Sequence, residues 1–119
     1  MAFAELGARE GFPAQVCLVC QQAAEKALKA LHYLGGARMV FGHSLVELLD
    51  DLARSAPALG RLREAAQQLD QYYIPTRYPN GLPGGIPADA FSTRQATEAV
   101  AVAGEFIAEA RAKIRDLHR

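Results

Sequence analysis

In this chain of 119 residues cysteine is rare, tryptophan is absent and neither sign of charge is in excess. It holds two cysteines, too few for a disulfide framework, so we expect a reducing, cytoplasmic setting. Lysine and arginine total 13, as do aspartate and glutamate, and the formal net charge is zero. This balance excludes a strongly basic coat for nucleic acid, although a local basic patch remains compatible with it.

Long hydrophobic runs are missing as well. The apolar stretches extend over only a few residues, so the sequence predicts no membrane-spanning segment and no membrane partner. The N-terminus, Met1 to Glu5, has neither the basic start nor the apolar run of a secretory signal. The length suits one domain over residues 1–119, and a composition of 50% apolar and 22% charged residues is that of a globular protein.

Strand signals are nearly absent, whereas residues that favour helix dominate. We therefore predict an all-α fold, an up-and-down antiparallel bundle of four to five helices. A short helical stretch is predicted over residues 2–9. The next helix begins at Pro13 and is stopped by Gly35 and Gly36. Its apolar stripe is predicted to consist of Val16, Cys20, Ala23, Ala27, Leu31 and Leu34.

Two serines are predicted to cap later helices. Ser44 precedes a helix with Glu47 at the capping-box position, and Ser92 opens the last helix with Gln95 at the same spacing. Between them a further helix is predicted over about residues 59–71. The last helix carries an apolar seam that suits antiparallel packing in a bundle. The members of this seam are Ala96, Ala99, Ala103, Ile107, Ala110, Ile114 and Leu117.

Cys17 and Cys20 have the spacing of a redox motif, but both lie inside a predicted helix, so we interpret them as packing residues. With no second cysteine pair and no clustered histidines, the sequence predicts no metal site and no cofactor. His43 has the chemistry of a base near neutral pH; in the alternative, it orders the turn before the third helix. His32 is predicted to be an exposed helix residue.

Lys26 and Lys29 lie three residues apart on the second helix, so both amines can reach one anion. They share a polar sector of that helix with Gln22 and Glu25. In the alternative interpretation this sector is a solvated face, with pairing among Gln22, Glu25 and Lys29.

Residues 72–89 are predicted to form a long irregular loop, since they hold four prolines and a Gly-Gly pair. At its start Tyr73, Arg77 and Tyr78 lie close in sequence to Asp70. Arginine makes a two-pronged contact with phosphate, and tyrosine stacks on a base, which together indicate a nucleotide or phosphate ligand. In the alternative, the tyrosines anchor the loop to the bundle and Asp70 pairs with Arg77.

Four blocks in order give the chain a family resemblance over roughly residues 12–115. The stretch QQAAEKALKA at residues 21–30 resembles the second helix of HEPN domains, and GHSL at 42–45 followed by Leu48-Leu49 resembles the start of the next helix in that family. Leu69-Asp70 with YIPTRYP at 73–79 resembles its third block. The last helix, beginning around Ala96, resembles the fourth.

The resemblance implies a helical bundle, commonly dimeric, that acts with a small nucleotidyltransferase of the MNT type and has nucleotide as the suspected ligand. Other HEPN branches are RNases or toxins with an R-x4-6-H motif near the start of the last helix. Arg38 with His43 and Arg111 with His118 have that spacing, but neither pair lies at that position, and Arg94 has no histidine after it at that spacing.

Three hypotheses follow for function. The first is a binding module for a nucleotide or a nucleotidyltransferase partner, as in toxin–antitoxin pairs, with Lys26, Lys29 and Arg77 on phosphate and Tyr73 or Tyr78 on the base. The second is a metal-independent RNase in which His43 acts with Arg77 or Arg38. The third is a dimerising scaffold whose polar blocks only fix the fold.

The alanine-rich seams also predict assembly. They leave flat, closely approachable faces, and a domain this small gains from burying more apolar surface. We expect a homodimer or a higher even oligomer in sedimentation experiments at micromolar concentration. A monomer under those conditions would contradict this expectation.

Overall fold

The computed structural model describes residues 12–73 and 91–117 of the chain. Within these ranges it shows four α-helices, one 3-10 helix and no strand, which confirms the prediction of an all-α bundle. The helices are α1 (Pro13–Leu34), α2 (Leu45–Ala53), the 3-10 helix (Pro57–Leu62), α3 (Arg63–Asp70) and α4 (Thr93–Leu117). The predicted short helix over residues 2–9, and the predicted loop beyond residue 73, lie outside the described residues.

Helix α1 begins and ends as predicted. Pro13 occupies its first turn, where a missing backbone N–H costs nothing. At its end the N–H of Gly35 donates to the carbonyls of Leu31 and His32, both at 3.1 Å, and Gly36 adopts φ +102°, a conformation that favours glycine.

The buried face of α1 is broader than the predicted stripe. Ala23 is only half-buried, and Leu34, the last residue of α1, is 41% exposed. Most of the stripe is confirmed and additional residues join it. The buried apolar residues of α1 are Ala14, Val16, Cys17, Cys20, Ala24, Ala27, Leu28 and Leu31.

Helices α1 and α4 form the most extensive packing in the described part of the chain. Small side chains face each other along much of this contact, so the two backbones approach closely. The predicted seam of α4 is confirmed at its alanines, whereas Ile114 and Leu117 are 40% and 63% exposed. Phe106, which the seam omitted, is buried and supplies the largest apolar side chain of α4 to the core.

The two long helices run side by side in the same direction. The early parts of both helices lie near Tyr72. Burial raises the pKa of the Tyr72 hydroxyl, and the nearby Cys17 of α1 and Glu98 of α4 raise it further. At the other end, Leu34 and Leu117 line one surface groove. Helix α4 is therefore not antiparallel to α1.

Helix α4 is antiparallel to α3, because Arg61, just before α3, pairs with Glu109 late in α4, whereas Tyr72, just after α3, lies near the start of α4. Helices α2 and α3 are antiparallel to each other as well.

The N-terminus of α2 is capped from two sides. Ser44 Oγ accepts the N–H of Glu47 at 3.3 Å, as predicted. Asp70, at the end of α3, accepts the N–H of Leu45 at 2.7 Å, the N–H of Val46 at 3.1 Å and the hydroxyl of Ser44 at 3.2 Å. One carboxylate therefore satisfies two backbone donors that a helix start leaves unpaired, and it joins α3 to α2.

The opposite ends of these helices are also paired, since Arg63 donates to Asp50 at 3.2 Å. The predicted helix over residues 59–71 is a 3-10 helix up to Leu62, preceded by Pro57, and α-helical only from Arg63. The 3-10 turn is tied to α4 by Arg61, which donates to Glu109 at 2.6 Å.

The second capping box is complete. Gln95 N–H donates to Ser92 Oγ at 3.1 Å, and Ser92 N–H donates to Gln95 Oε1 at 2.8 Å, so the start of α4 is confirmed. Among the described helices, none is both long enough and apolar enough to cross a membrane.

The cap on α2 generates a stability prediction. Asp70→Ala leaves the N–H groups of Leu45 and Val46 without their acceptor, so we expect it to lower the free energy of unfolding by about 2 kcal/mol. Urea denaturation measures the change. Asp51→Ala is the control, because Asp51 is exposed and pairs with Arg54 within α2 and its C-cap. A loss for Asp70→Ala no larger than that of the control would contradict the capping role.

Candidate functional site

A polar cluster forms where the connection between α1 and α2 crosses the middle of α1. Its centre is Glu25, whose side chain is 13% exposed. One carboxylate oxygen accepts the Lys29 amine at 3.1 Å, and the other contacts His43 Nδ1 at 3.0 Å. We call this group the Glu25 cluster; its members are Gln21, Glu25, Lys29, His43 and Tyr73.

His43 is held through its backbone as well as its ring. The Gln21 amide, buried in the face of α1, donates to the His43 carbonyl at 3.0 Å. The His43 ring stacks on Tyr73, with centroids 4.9 Å apart and planes 17° apart. Gly42, at φ +100°, gives the chain the turn that precedes His43.

The contact with Glu25 also sets the tautomer of His43. An ionised carboxylate only accepts hydrogen bonds, so Nδ1 carries the proton in the neutral ring and Nε2 is left as an acceptor. The His43 side chain is 49% exposed, and it is therefore accessible to a ligand. A histidine oriented by a carboxylate is an arrangement suited to accepting a proton or a hydrogen bond from a bound molecule.

The charge of Glu25 is stabilised by its partners. Burial acts to raise the pKa of Glu25, but hydrogen bonds from His43 and Lys29, together with the charges of these groups, hold that pKa below its usual value. Glu25 is therefore ionised at neutral pH, and it holds the Lys29 amine by charge as well as by a hydrogen bond.

The structure brings together three of the predicted functional residues. Lys29 and His43 both contact Glu25, and Tyr73 joins them by stacking on the His43 ring. Lys26 is exposed and takes part in none of the ion pairs within residues 12–73 and 91–117. The pairing of Lys29 with Glu25, one part of the alternative interpretation, is confirmed. Arg77 and Tyr78 lie outside the described residues, so their assignment stays a prediction.

Sequence reasoning missed two residues. Gln21 was not singled out, although a glutamine facing inward among Cys17, Cys20 and Ala24 is an unusual core residue. Asp70 was considered only as a partner of Arg77, yet its carboxylate caps α2. Neither contact has a local sequence pattern, since each joins residues more than twenty positions apart.

The two cysteines and His32 have structural roles rather than places in the Glu25 cluster. Burial raises the pKa of Cys17 to about 11, and burial together with Cys17 raises that of Cys20 to about 12, so neither is a reactive thiolate. Their interpretation as packing residues is confirmed. His32 is half-buried rather than exposed, because its Nε2 donates to the carbonyl of Leu48 at 2.9 Å and joins α1 to α2.

The two pairs with R-x4-6-H spacing differ in surroundings. Arg38 is exposed on the connection that also carries His43, and His43 contacts Glu25. Arg111 is exposed on α4, and His118 lies outside the described residues.

Comparison with known proteins agrees with this architecture. Residues 1–113 match the HEPN domain. The chain belongs to the HEPN family. A crystal structure of TT1696 from Thermus thermophilus is similar to it with a TM-score of 0.84 and 40% sequence identity, over 94% of this chain and 87% of that one. No curated protein matches the sequence.

The blocks that resemble the HEPN family contribute residues to the Glu25 cluster. The first block lies on α1 and supplies Gln21, Glu25 and Lys29, and the second supplies His43. Blocks that are separate in the sequence of this HEPN domain are thus neighbours in its fold.

The lowered pKa of Glu25 generates a pH-dependent prediction. Because that pKa is lower in the folded than in the unfolded protein, Glu25 contributes stability above the ordinary glutamate pKa and loses it as the pH falls through the folded value. We expect Glu25→Gln to lower the free energy of unfolding by about 1 kcal/mol near neutral pH. The difference from wild type is expected to shrink below about pH 4.

Urea denaturation across this pH range measures the effect. Glu105→Gln is the matched control, since Glu105 is exposed on α4. A Glu25→Gln deficit that stays constant on acidification, or that equals the deficit of the control, would contradict the stabilised charge.

Proposed function

We propose that this HEPN domain is the binding module of a two-component system: it takes a nucleotide at the Glu25 cluster and acts with a nucleotidyltransferase partner of the MNT type. The observation that carries the proposal is that Lys29 and His43 share one partly buried carboxylate and that Tyr73 stacks on the His43 ring. Two of these residues, Lys29 and Tyr73, are ligand candidates from sequence alone.

The chemistry of the cluster suits a nucleotide. Lys29 supplies a cation whose side chain is 21% exposed, and a phosphate competes with Glu25 for its amine. The stacked rings of His43 and Tyr73 supply an aromatic surface of the kind that receives a base. Lys26 is exposed one position after Glu25 and offers a second amine. Arg77 and Tyr78 remain proposed ligands beyond the described residues.

Exposed apolar side chains support a protein partner. At the end of α1 and on the following connection, Tyr33 is 50% exposed, Met39 69% and Phe41 77%. Met39 and Phe41 lie two residues apart on this connection. Large exposed apolar side chains that lie close together are typical of a surface that binds protein. The homodimer and the nucleotidyltransferase partner are both proposals for such surfaces.

Thermal melts with a panel of nucleoside triphosphates test nucleotide binding. We expect one nucleotide at about tenfold excess over its dissociation constant to raise the melting temperature of wild type by about 5 °C. Lys29→Gln and Tyr73→Leu should lose this increase while remaining folded. Arg94→Gln should keep it, because that change removes an ion pair of the same helical spacing, with Glu98, outside the cluster.

Two results would contradict the nucleotide site. The first is the absence of any nucleotide-dependent increase in wild type. The second is an equal loss of the increase in Lys29→Gln and Arg94→Gln, which would attribute it to general surface charge.

A metal-independent RNase is the second candidate, favoured by the contact between Glu25 and His43. In such a reaction the free Nε2 of His43 takes the proton of a ribose 2′-hydroxyl while the 2′-oxygen attacks phosphorus. The bond from phosphorus to the 5′-oxygen breaks, this oxygen takes a proton from water and leaves as a 5′-hydroxyl, and a 2′,3′-cyclic phosphate forms. Arg38 or Arg77 would then stabilise the charge on phosphate.

The RNase candidate has a distinct test. Under the binding proposal, purified protein leaves RNA intact. Cleavage that persists through stringent purification, disappears in His43→Ala and continues in His32→Ala would replace the binding proposal with the RNase. His32 is the matched control because its ring contacts the Leu48 carbonyl and not Glu25.

A further inference from the structure

Gln21 is the one polar side chain that is fully buried in the described part of the HEPN domain. Its amide nitrogen donates to the His43 carbonyl, but its oxygen is buried with no hydrogen-bond partner among the described residues. The orientation of the amide is determined by its neighbour, since a carbonyl only accepts and the facing atom must be the donor. The unpaired oxygen is therefore a consequence of holding His43.

Packing alone does not account for an amide at this position. A buried, unpaired amide oxygen destabilises the folded protein, and an apolar side chain of similar volume avoids that penalty. The neighbouring inward residues Cys17, Cys20 and Ala24 are all apolar or weakly polar. The hydrogen bond to His43 is what distinguishes Gln21 from them.

The two contacts of α1 with His43 complement each other. Gln21 and Glu25 are four residues apart, so they lie one above the other on the helix. Gln21 fixes the backbone of His43, and Glu25 fixes its ring. This backbone contact matters because residues 35–44 form no helix or strand of their own.

We propose that Gln21 is a positioning residue of the Glu25 cluster: its buried amide holds the connection so that the His43 ring lies between Glu25 and Tyr73. Gln21 does not touch the ligand itself. Its role rests on the proposed function, because it serves the same site.

The test uses Gln21→Met and Gln21→Leu, which keep an apolar side chain of similar size in the core and remove the amide. We expect both to fold with a melting temperature equal to or above that of wild type. Nuclear Overhauser contacts between the His43 and Tyr73 rings should be lost. Nucleotide affinity should fall about tenfold, as expected when the competent arrangement of the site becomes a minor state.

Leu28→Met is the matched control. Leu28 is buried on the same helix, 1% exposed, and the change conserves volume, so the ring contacts and the nucleotide affinity should both persist. Ring contacts that persist in Gln21→Met would overturn the assignment. Failure of both Gln21 variants to fold while Leu28→Met folds would also overturn it, because the amide would then be required for the core.

The ring contacts are measured without a ligand, which separates the two proposals. Loss of the contacts in the Gln21 variants, with no nucleotide effect even in wild type, would support the positioning of His43 and contradict the nucleotide site. Intact ring contacts with a nucleotide effect in wild type would contradict the role of Gln21 alone.

Discussion

The close packing of α1 against α4 is the constraint on which the rest of the described structure depends. Alanines occupy much of this contact, so two long helices approach closely and α1 becomes a rigid support. A helix fixed along one face presents its other positions at fixed places. Gln21, Glu25 and Lys29 therefore keep their relative geometry whatever the connection after α1 does.

Two carboxylates then hold the short segment where α2 begins. Glu25 of α1 contacts the ring of His43, and Asp70 of α3 receives donors from residues 44–46. His43 is thus held by α1 and the next three residues by α3. In each case the carboxylate is stabilised by the hydrogen-bond donors that it accepts. The His43 ring therefore has a defined position although it lies on a connection without regular structure.

Local patterns in the sequence predicted the features that depend on local physics. The serine caps at Ser44 and Ser92 and the glycine stop after α1 follow from backbone hydrogen bonding within a few residues. The prediction that Ile114 and Leu117 belong to the apolar seam of α4 was wrong, since both are exposed. Helical periodicity does not show how far along a helix its neighbours cover it. The cap by Asp70 and the hydrogen bond from Gln21 to His43 are contacts between residues far apart in sequence, so no local pattern predicts them.

Only part of the candidate site could be predicted from the sequence. Lys29 and Tyr73 were chosen from residue chemistry, and the fold places Lys29 against Glu25 and Tyr73 against the His43 ring. The contact of Glu25 with the His43 ring could not be predicted from the sequence. It depends on the connection crossing α1 beside Glu25, and that path depends on where Asp70 holds the start of α2.

The nucleotide site proposed at the Glu25 cluster can be located in solution. An NMR titration of isotope-labelled protein with nucleoside triphosphates tests it most directly, because backbone and side-chain signals report position without any substitution. With a nucleotide bound at the cluster, we expect the largest chemical-shift changes at Lys29, His43 and Tyr73. Changes centred instead on the groove between Leu34 and Leu117, or no changes at saturating nucleotide, would contradict it.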